Sequence, residues 1–582
     1  YKGGVYFTNM GPHDQNWITG SSQINLRGID GGTLVLINGV PASFNNVNHL
    51  DMLNLDEVER VEVVKGGGAV LYGSEALGGV VNIITKDQMK NSLRVAAGNK
   101  GQRDYAATIG MGKASLALGR NEFGSTGNMT ERLGTKKING TAVPYYIGFG
   151  DSKKDHLAFN YKFDDRFKFS YMFNKKKYTT NYNDVNENIL QHFMYDDREH
   201  FAQMSYNDEN GWDGKIYYNQ RRIENPDYYV VNRTNVEWEK SDHKQYGLDT
   251  KKVWRSDKAT GLIGISAKRE TYKNDNQKFK TFGDSSSILK DPAHFGTYSL
   301  NNYSVYGSYD RKLSRATNII FSAREDLIRS EAGDYNEFLP QVQAITKFDE
   351  HNSVYASVGK SFRMPTFRNL YYASSVVVPN PDLEAEHGWN YEIGYKYSEN
   401  GRRLNLTAFR IDIKDQIVAV KNLVDNQSYQ TNAAKYRNTG IELRYEQDVD
   451  KHFTYNVGAV FAKPQRMYKE GQDWSDTLGR YQLNGGVNYV NRDFSAALNL
   501  SYWGNRFKNG VSSEKITVTE ISSPLLVSNL HLGYKVAKNM TATFDVDNLF
   551  DRKDIANVGG TSNNNLYYTM GRTFRVGVNY NF

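Results

Sequence analysis

The chain ends on an alternation. Phe574, Val576, Val578, Tyr580 and Phe582 take every second position, with Thr573, Arg575, Gly577, Asn579 and Asn581 between them. Successive side chains of a strand point to opposite faces, so this pattern gives one face to an apolar medium and the other to a polar one. Leu157, Phe159, Tyr161 and Phe163 repeat it. Beyond a tight turn, Phe167, Phe169, Tyr171 and Phe173 do so again, against Lys168, Ser170 and Asn174. From about Ser92 to the C-terminus such segments follow one another. Their connections are alternately short, as at 314–316, 400–402 and 538–540, and long, as at 124–155 and 276–296.

A soluble sandwich would bury Val, Leu and Ile in shorter strands. Here the apolar face is often Tyr or Phe near a strand end, the girdle arrangement of transmembrane barrels, and the short and long connections match their two ends. The pattern predicts a membrane all-β chain, an antiparallel transmembrane β-barrel of about 22 strands. Composition agrees. The 582 residues include 41 Tyr and 28 Phe but only 11 Pro. A mean hydropathy of −0.66 and the lack of an apolar run near 18 residues exclude spanning helices, which leaves barrels untouched.

The chain has no cysteine, so disulfides and thiolate metal sites are excluded. A net charge of +7, with Lys and Arg mixed among Asp and Glu, gives no basic face for nucleic acid. Tyr1 follows no signal-like segment, which says nothing about the compartment.

The segment before about Lys90 departs from the barrel pattern. "INLRG", "TLVLINGVP", "LDEVERVEVVKGGG" and "VVNIITK" read as a small α/β domain. A barrel this wide leaves an open pore unless something fills it, so residues 1–88 are expected to be a plug inside the lumen and 89–582 the barrel. The glycines of "RVEVVKGGGAVLYGSEALGGVVNIITK" have neither the Lys-Ser/Thr pair nor the G-x-G-x-x-G spacing of phosphate loops, and read as turns.

These residues resemble the TonB-dependent outer-membrane receptors. The plug likeness runs from Ile24 to Lys86 through "INLRG", "LVLINGVP" and "EVERVEVVKGGGAVLYGSEALGGVVNIITK", in the family's order. The barrel adds "SFRMPTFRNLY", "NPDLEAEHGWNYEIGY", "NTGIELRYE", "VDNLFDR" and the terminal Phe582, similar to the family's assembly signal. The resemblance implies residence in the bacterial outer membrane among its lipids. It also implies a TonB partner, reached through a TonB box that, with the first plug strand, is expected upstream of this sequence.

The resemblance also implies a plug seat. Arg27 matches the family's "IRG" arginine and Lys65 stands where a second cation, usually Arg, is found; their barrel partners would be Glu392 and Glu442. Alternation agrees, since Tyr391, Ile393 and Tyr395 on one face put Glu392 on the other, as Ile441, Leu443 and Tyr445 do for Glu442. Substrate is expected at the plug loops 10–19 and 42–49, which carry His13, Trp17, Phe44, Asn45, Asn46 and His49, with Tyr371 and Tyr372 above.

The implied activity is active import of a scarce metal chelate: a ferric siderophore or haem, with cobalamin as the alternative. No histidine lies between Thr366 and Asn380, where haem receptors of the family place one, and His387 reads as the start of a strand. Haem would need other ligands, for example His13 or His49 from the plug with a tyrosine above. No cofactor is required. Asp196, Asp197 and Glu199 of "MYDDREH" are candidates for structural calcium in an extracellular loop, against a solvated acidic loop. A passive porin conflicts with the plug-like segment, and no G-x-S-x-G or H-E-x-x-H supports an enzyme.

Overall fold

The computed structural model describes residues 5–8, 23–29, 31–45, 47–48, 53–66, 69–138, 141–230, 234–281, 288–290, 296–373, 377–425, 427–468, 471–511, 516–521, 523–559 and 565–582. From Ser92 onward they form one closed antiparallel barrel of 22 strands. The first is Ser92–Gly98 and the last Thr573–Asn581; these two pair from Arg575↔Gly98 to Asn581↔Ser92 and shut the ring.

The alternation explains the wall. Phe574, Val576, Val578 and Tyr580 stay 41–56% exposed on the outer face, while inward Thr573 is 1% exposed. At the end with short turns, Tyr161 meets Phe163 (ring centroids 4.8 Å apart), Phe167 meets Tyr206 (4.7 Å) and Tyr580 meets Phe582 (5.9 Å). These rings form the aromatic girdle of one membrane interface.

The strands run farther than the alternation shows. Thr141–Lys162 takes up much of what reads as the long connection 124–155, and Ala259–Thr281 takes the first residues of 276–296. The upper part of the first is held by pairing with Gly134–Ile138 and Gly127–Asn128. Above the hydrocarbon both faces of a strand are wet, so the two-residue period fades while the backbone ladder continues.

Ahead of the barrel, Val40–Pro41, Thr33–Ile37, Gly79–Thr85 and Val58–Lys65 form a four-stranded sheet in that order, its central pair parallel. Leu34, Leu36, Ala76 and Val80 cluster together, as do Leu26, Val35, Val81 and Ile83. A sheet covered on both faces explains the continuous apolar runs "TLVLI" and "GVVNII". This plug domain is nearly all-β: its described helical parts are the four-residue Ala69–Tyr72 and the 3-10 turn Leu55–Glu57. No helix of the described residues is long and apolar enough to cross a membrane.

The plug packs directly on part of the wall. Ile29 and Leu77 bury themselves against Phe409, Ile411, Ile413 and Tyr436. Val70 does so against Ile328, Leu339 and Phe362.

Candidate functional site

Arg27 sits at the end of the strand Gln23–Leu26 with φ of 53°, a left-handed turn that aims its side chain sideways into the wall. It is 2% exposed. Its Nη1 pairs with Glu392 and its Nε lies 3.4 Å from Glu442 Oε1. The guanidinium rests on the Phe409 ring at 4.3 Å, and the Arg27 carbonyl accepts hydrogen bonds from Tyr436 Oη (3.0 Å) and Asn438 Nδ2 (2.9 Å). Lys65 Nζ reaches Glu442 Oε2 at 2.9 Å. Glu392 Oε1 occupies the place where a side chain on Gly66 would begin, and Gly66 has φ of +70°, so this turn admits only glycine.

Two cations and two carboxylates thus neutralise one another out of water. Burial alone would depress the Arg27 pKa, but the charges of Glu442 and Glu392 outweigh it and the pKa is raised. For Lys65 burial wins over the attraction of Glu442, and its pKa is lowered. Arg holds two carboxylates through a planar fork, whereas Lys offers a point charge to one.

A second contact faces this one. His156 stands on the fourth barrel strand, Glu392 and Glu442 on the fourteenth and sixteenth of 22, nearly half-way round. The His156 imidazole places Nε2 at 2.5 Å from Glu57 Oε1 of the plug and Nδ1 at 2.5 Å from Asn174 Oδ1. Glu57 and His156 are 2% and 4% exposed. Nothing local in the sequence marks this pair, whose members lie 99 residues apart.

The plug apex is gripped by the wall. Asn219 Nδ2 donates to the Pro41 carbonyl (2.7 Å) and Gln245 Nε2 to the Ser43 carbonyl (2.9 Å). Phe44 is buried between His243 (5.0 Å between centroids) and Phe201 (6.2 Å), a packing position closed to a ligand in this state. His243 Nε2 meets Glu270 (3.2 Å), which also pairs with Lys268. Ser43 Oγ donates to Glu75 Oε2 (2.5 Å). Desolvation raises the Glu75 pKa, with Lys268 opposing and Glu270 adding.

Over this apex lies the helix Phe367–Tyr371, started by a capping box between Thr366 and Asn369. Phe367 stacks on Tyr272 (5.7 Å) and meets His243 edge-on (5.6 Å). Tyr371 stacks face to face on Tyr298 at 3.7 Å, and the Arg368 guanidinium covers Tyr372 at 4.4 Å. Both tyrosines therefore belong to the wall of the vestibule and are half-buried there. Asn45 is half-buried at a small void of about 40 Å3 beside Ser74, Glu75 and His243. His13, Trp17, Asn46 and His49 lie outside the described residues.

The calcium candidates need correction. Asp196, Asp197 and Glu199 sit within the strand Ile189–Asn207, not in a loop. Asp196 pairs with Arg198 (2.8 Å), while Arg221 serves Asp197 (2.7 Å) and Glu199 (3.4 Å). Neighbours on a strand face opposite ways, so the three carboxylates do not converge, and no group of metal-ligating side chains occurs among the described residues. His387 begins the strand Glu386–Glu399 and bonds Glu337 (2.8 Å).

Comparison with known proteins agrees with this architecture. The ferric enterobactin receptor of Pseudomonas aeruginosa is 22% identical over 634 residues, covering 91% of this chain and 82% of that one. A vitamin B12 transporter of Vibrio vulnificus is 22% identical over 620 residues, covering 96% and 86%. A crystal structure of the Pseudomonas aeruginosa ferric enterobactin receptor superposes with a TM-score of 0.74 at 19% identity, over 100% of this chain and 94% of that one. The family model for the TonB-dependent receptor plug domain matches residues 4–80 and that for the TonB dependent receptor-like β-barrel residues 138–549. With a closed 22-strand barrel, an internal plug and both family signatures in one chain, the protein belongs to the TonB-dependent receptors of the bacterial outer membrane.

Proposed function

We propose that this receptor actively imports a scarce metal chelate, a ferric siderophore or haem, with cobalamin as the alternative cargo. One observation carries the proposal: the plug is bonded to opposite sides of the lumen, by Arg27 and Lys65 on one side and Glu57 on the other. A barrel filled and anchored in this way does not serve as a passive porin. Cargo crosses only when the plug is rearranged, which calls for an energy source such as TonB. The work is transport, and no catalytic step is assigned.

The names of the relatives, a ferric enterobactin receptor and a vitamin B12 transporter, support a chelate as cargo. The siderophore is favoured over cobalamin because the carboxylates offered as a calcium site are taken by arginines. The haem reading rests on His13 and His49. The test is retention by the purified receptor after incubation with haemin, ferric siderophores and cobalamin, read as iron, cobalt and absorption spectrum. Iron without a Soret band is the expected result. Iron with one selects haem, cobalt with a corrin spectrum selects the alternative, and retention of none overturns the proposal.

A further inference from the structure

Four neighbouring strands, Thr141–Lys162, Phe167–Asn183, Ile189–Asn207 and Trp212–Val230, change character together on the outer face of the wall. Phe163, Phe167, Met204 and Ile216 on this face are 37–53% exposed, whereas Asn174 and Asn219 on the inner face are buried. Phe159, Tyr171, Ala202 and Tyr218 stand side by side in one outer row. Two rows farther from the short turns come Asp155, Lys175, Arg198 and Arg222, and the next row holds Lys153, Lys177, Asp196 and Glu224. From Phe163 in the girdle to Asp155 is nine residues, close to the roughly 9–11 with which a tilted strand crosses the hydrocarbon. The charged rows therefore lie at the membrane surface on the side of the longer connections, the extracellular side of such barrels.

Three directly opposed pairs in these rows set cation against cation: Lys153↔Lys177, Lys175↔Arg198 and Arg198↔Arg222. Like charges opposed on one face of a sheet are unfavourable. Carboxylates relieve this only in part. Glu122 answers Lys153, and Glu224 answers Arg222. Arg198 takes both oxygens of Asp196, at 2.8 and 3.0 Å, which leaves Lys175 and Lys177 each 3.8 Å from that carboxylate, beyond hydrogen-bond reach. The side chains of these two lysines are 32% and 52% exposed. Nearly opposite on the barrel, the outward Arg410 bonds Asp412, which stands across from Arg437, so unlike charges are opposed there.

We propose that this patch seats a lipid of the outer leaflet whose headgroup carries two or more phosphates. Phosphate oxygens set between the rows turn each opposed pair of cations into a bridge, with Lys175 and Lys177 giving ammonium donors and Arg198 and Arg222 guanidinium forks. The patch from Lys153 to Arg222 spans three strand spacings, about 14 Å, more than a single phosphate covers. Its place selects a lipid over a soluble anion. The rows Leu157↔Phe173 and Phe159↔Tyr171 lie directly below on the same face, where acyl chains descend. The site is on the outside of the wall and is independent of which cargo the lumen takes.

The test is lipid retention by the whole receptor in detergent, counted by native mass spectrometry after addition of lipid A bearing two phosphates. The wild type is expected to keep one such lipid at least tenfold more tightly than phosphatidylglycerol. The double variant Lys175→Gln with Lys177→Gln is expected to lose that preference, and Arg410→Gln to keep it. Undiminished retention by the double variant, or an equal loss in Arg410→Gln, would overturn the patch. A second measurement needs no substitution. Lipid A with one phosphate removed is expected to bind the wild type at least fivefold more weakly than the form with two. Equal retention of the two forms would overturn the proposal, and displacement of the lipid by millimolar inorganic phosphate would make the patch a site for free anions and overturn it as well.

Discussion

Glu57 of the plug and His156 of the wall meet 2.5 Å apart, both buried, nearly half-way round the lumen from the contact of Arg27 with Glu392. The plug is thus held at two opposed points rather than hung from one side.

Removing the imidazole should loosen the plug. His156→Ala leaves Glu57 without its ring partner in a dry place, and losing a hydrogen bond to a charged group costs about 1.5–3 kcal/mol. The urea concentration at which the plug becomes open to protease is expected to fall, with the barrel transition unchanged. An unchanged urea midpoint for the plug would remove this contact from the set of anchors.

Glu442 joins both plug cations, whereas Glu392 pairs with Arg27 alone. Glu442→Ala should therefore be the more damaging change, by about 3–5 kcal/mol in plug release, since it strands buried charge. Lys65→Arg is expected to be tolerated. Equal effects of Glu442→Ala and Glu392→Ala in the same protease assay would contradict this ordering.

Plug docking should weaken as pH rises past the carboxyl range. The Glu75 pKa is raised above the ordinary 4.5, chiefly by desolvation. A raised folded-state pKa contributes stability that is complete below the unfolded value and lost as pH climbs through the folded one. Glu75→Gln is expected to match the wild type near pH 4 and to exceed it in melting temperature near pH 8. A constant difference across that range would show that Glu75 does not titrate there.

Phe44 is a candidate for ligand contact that the fold uses for packing against His243 and Phe201. Phe44→Ala is expected to cost about 3–5 kcal/mol of plug stability, as for a core aromatic. Affinity for the retained chelate, measured by tryptophan quenching, should change less than threefold. A large loss of affinity with normal stability would restore Phe44 to the ligand.

Calcium should not matter to the strand Ile189–Asn207. Millimolar calcium is expected to leave the melting temperature unchanged, because Arg221 already answers Asp197 and Glu199. A calcium-dependent rise would mean that the carboxylates exchange partners.

How much of this is legible in the residues depends on what the pattern records. Two-residue alternation reports a boundary between two solvents, so the barrel wall and the inward aim of Glu392 and Glu442 can be read where lipid lies outside. It fails above the membrane, where Thr141–Lys162 continues in water on both sides, and an acidic run such as 196–199 then looks like loop. Arg27 and its partners become readable through a family motif. The pair Glu57 and His156 does not, because it depends on where two distant segments meet in the lumen. Tyr371 looks free as part of a loop, yet a capped helix lays it on Tyr298. Loop chemistry is visible from sequence, but loop packing is not.

The hydrogen bonds from Asn581↔Ser92 to Arg575↔Gly98 have a consequence for the order of assembly. The strand that shuts the ring is the last barrel strand in chain order, and it must find the first across nearly the whole length of the barrel sequence. Until then there is an open sheet with two unsatisfied edges, and deletion of the final strand would leave that sheet unclosed rather than a slightly smaller barrel. The segment that fills the lumen precedes every barrel strand in the chain. The filling is therefore at hand before there is a ring to fill, and the plug need never be threaded through a finished pore.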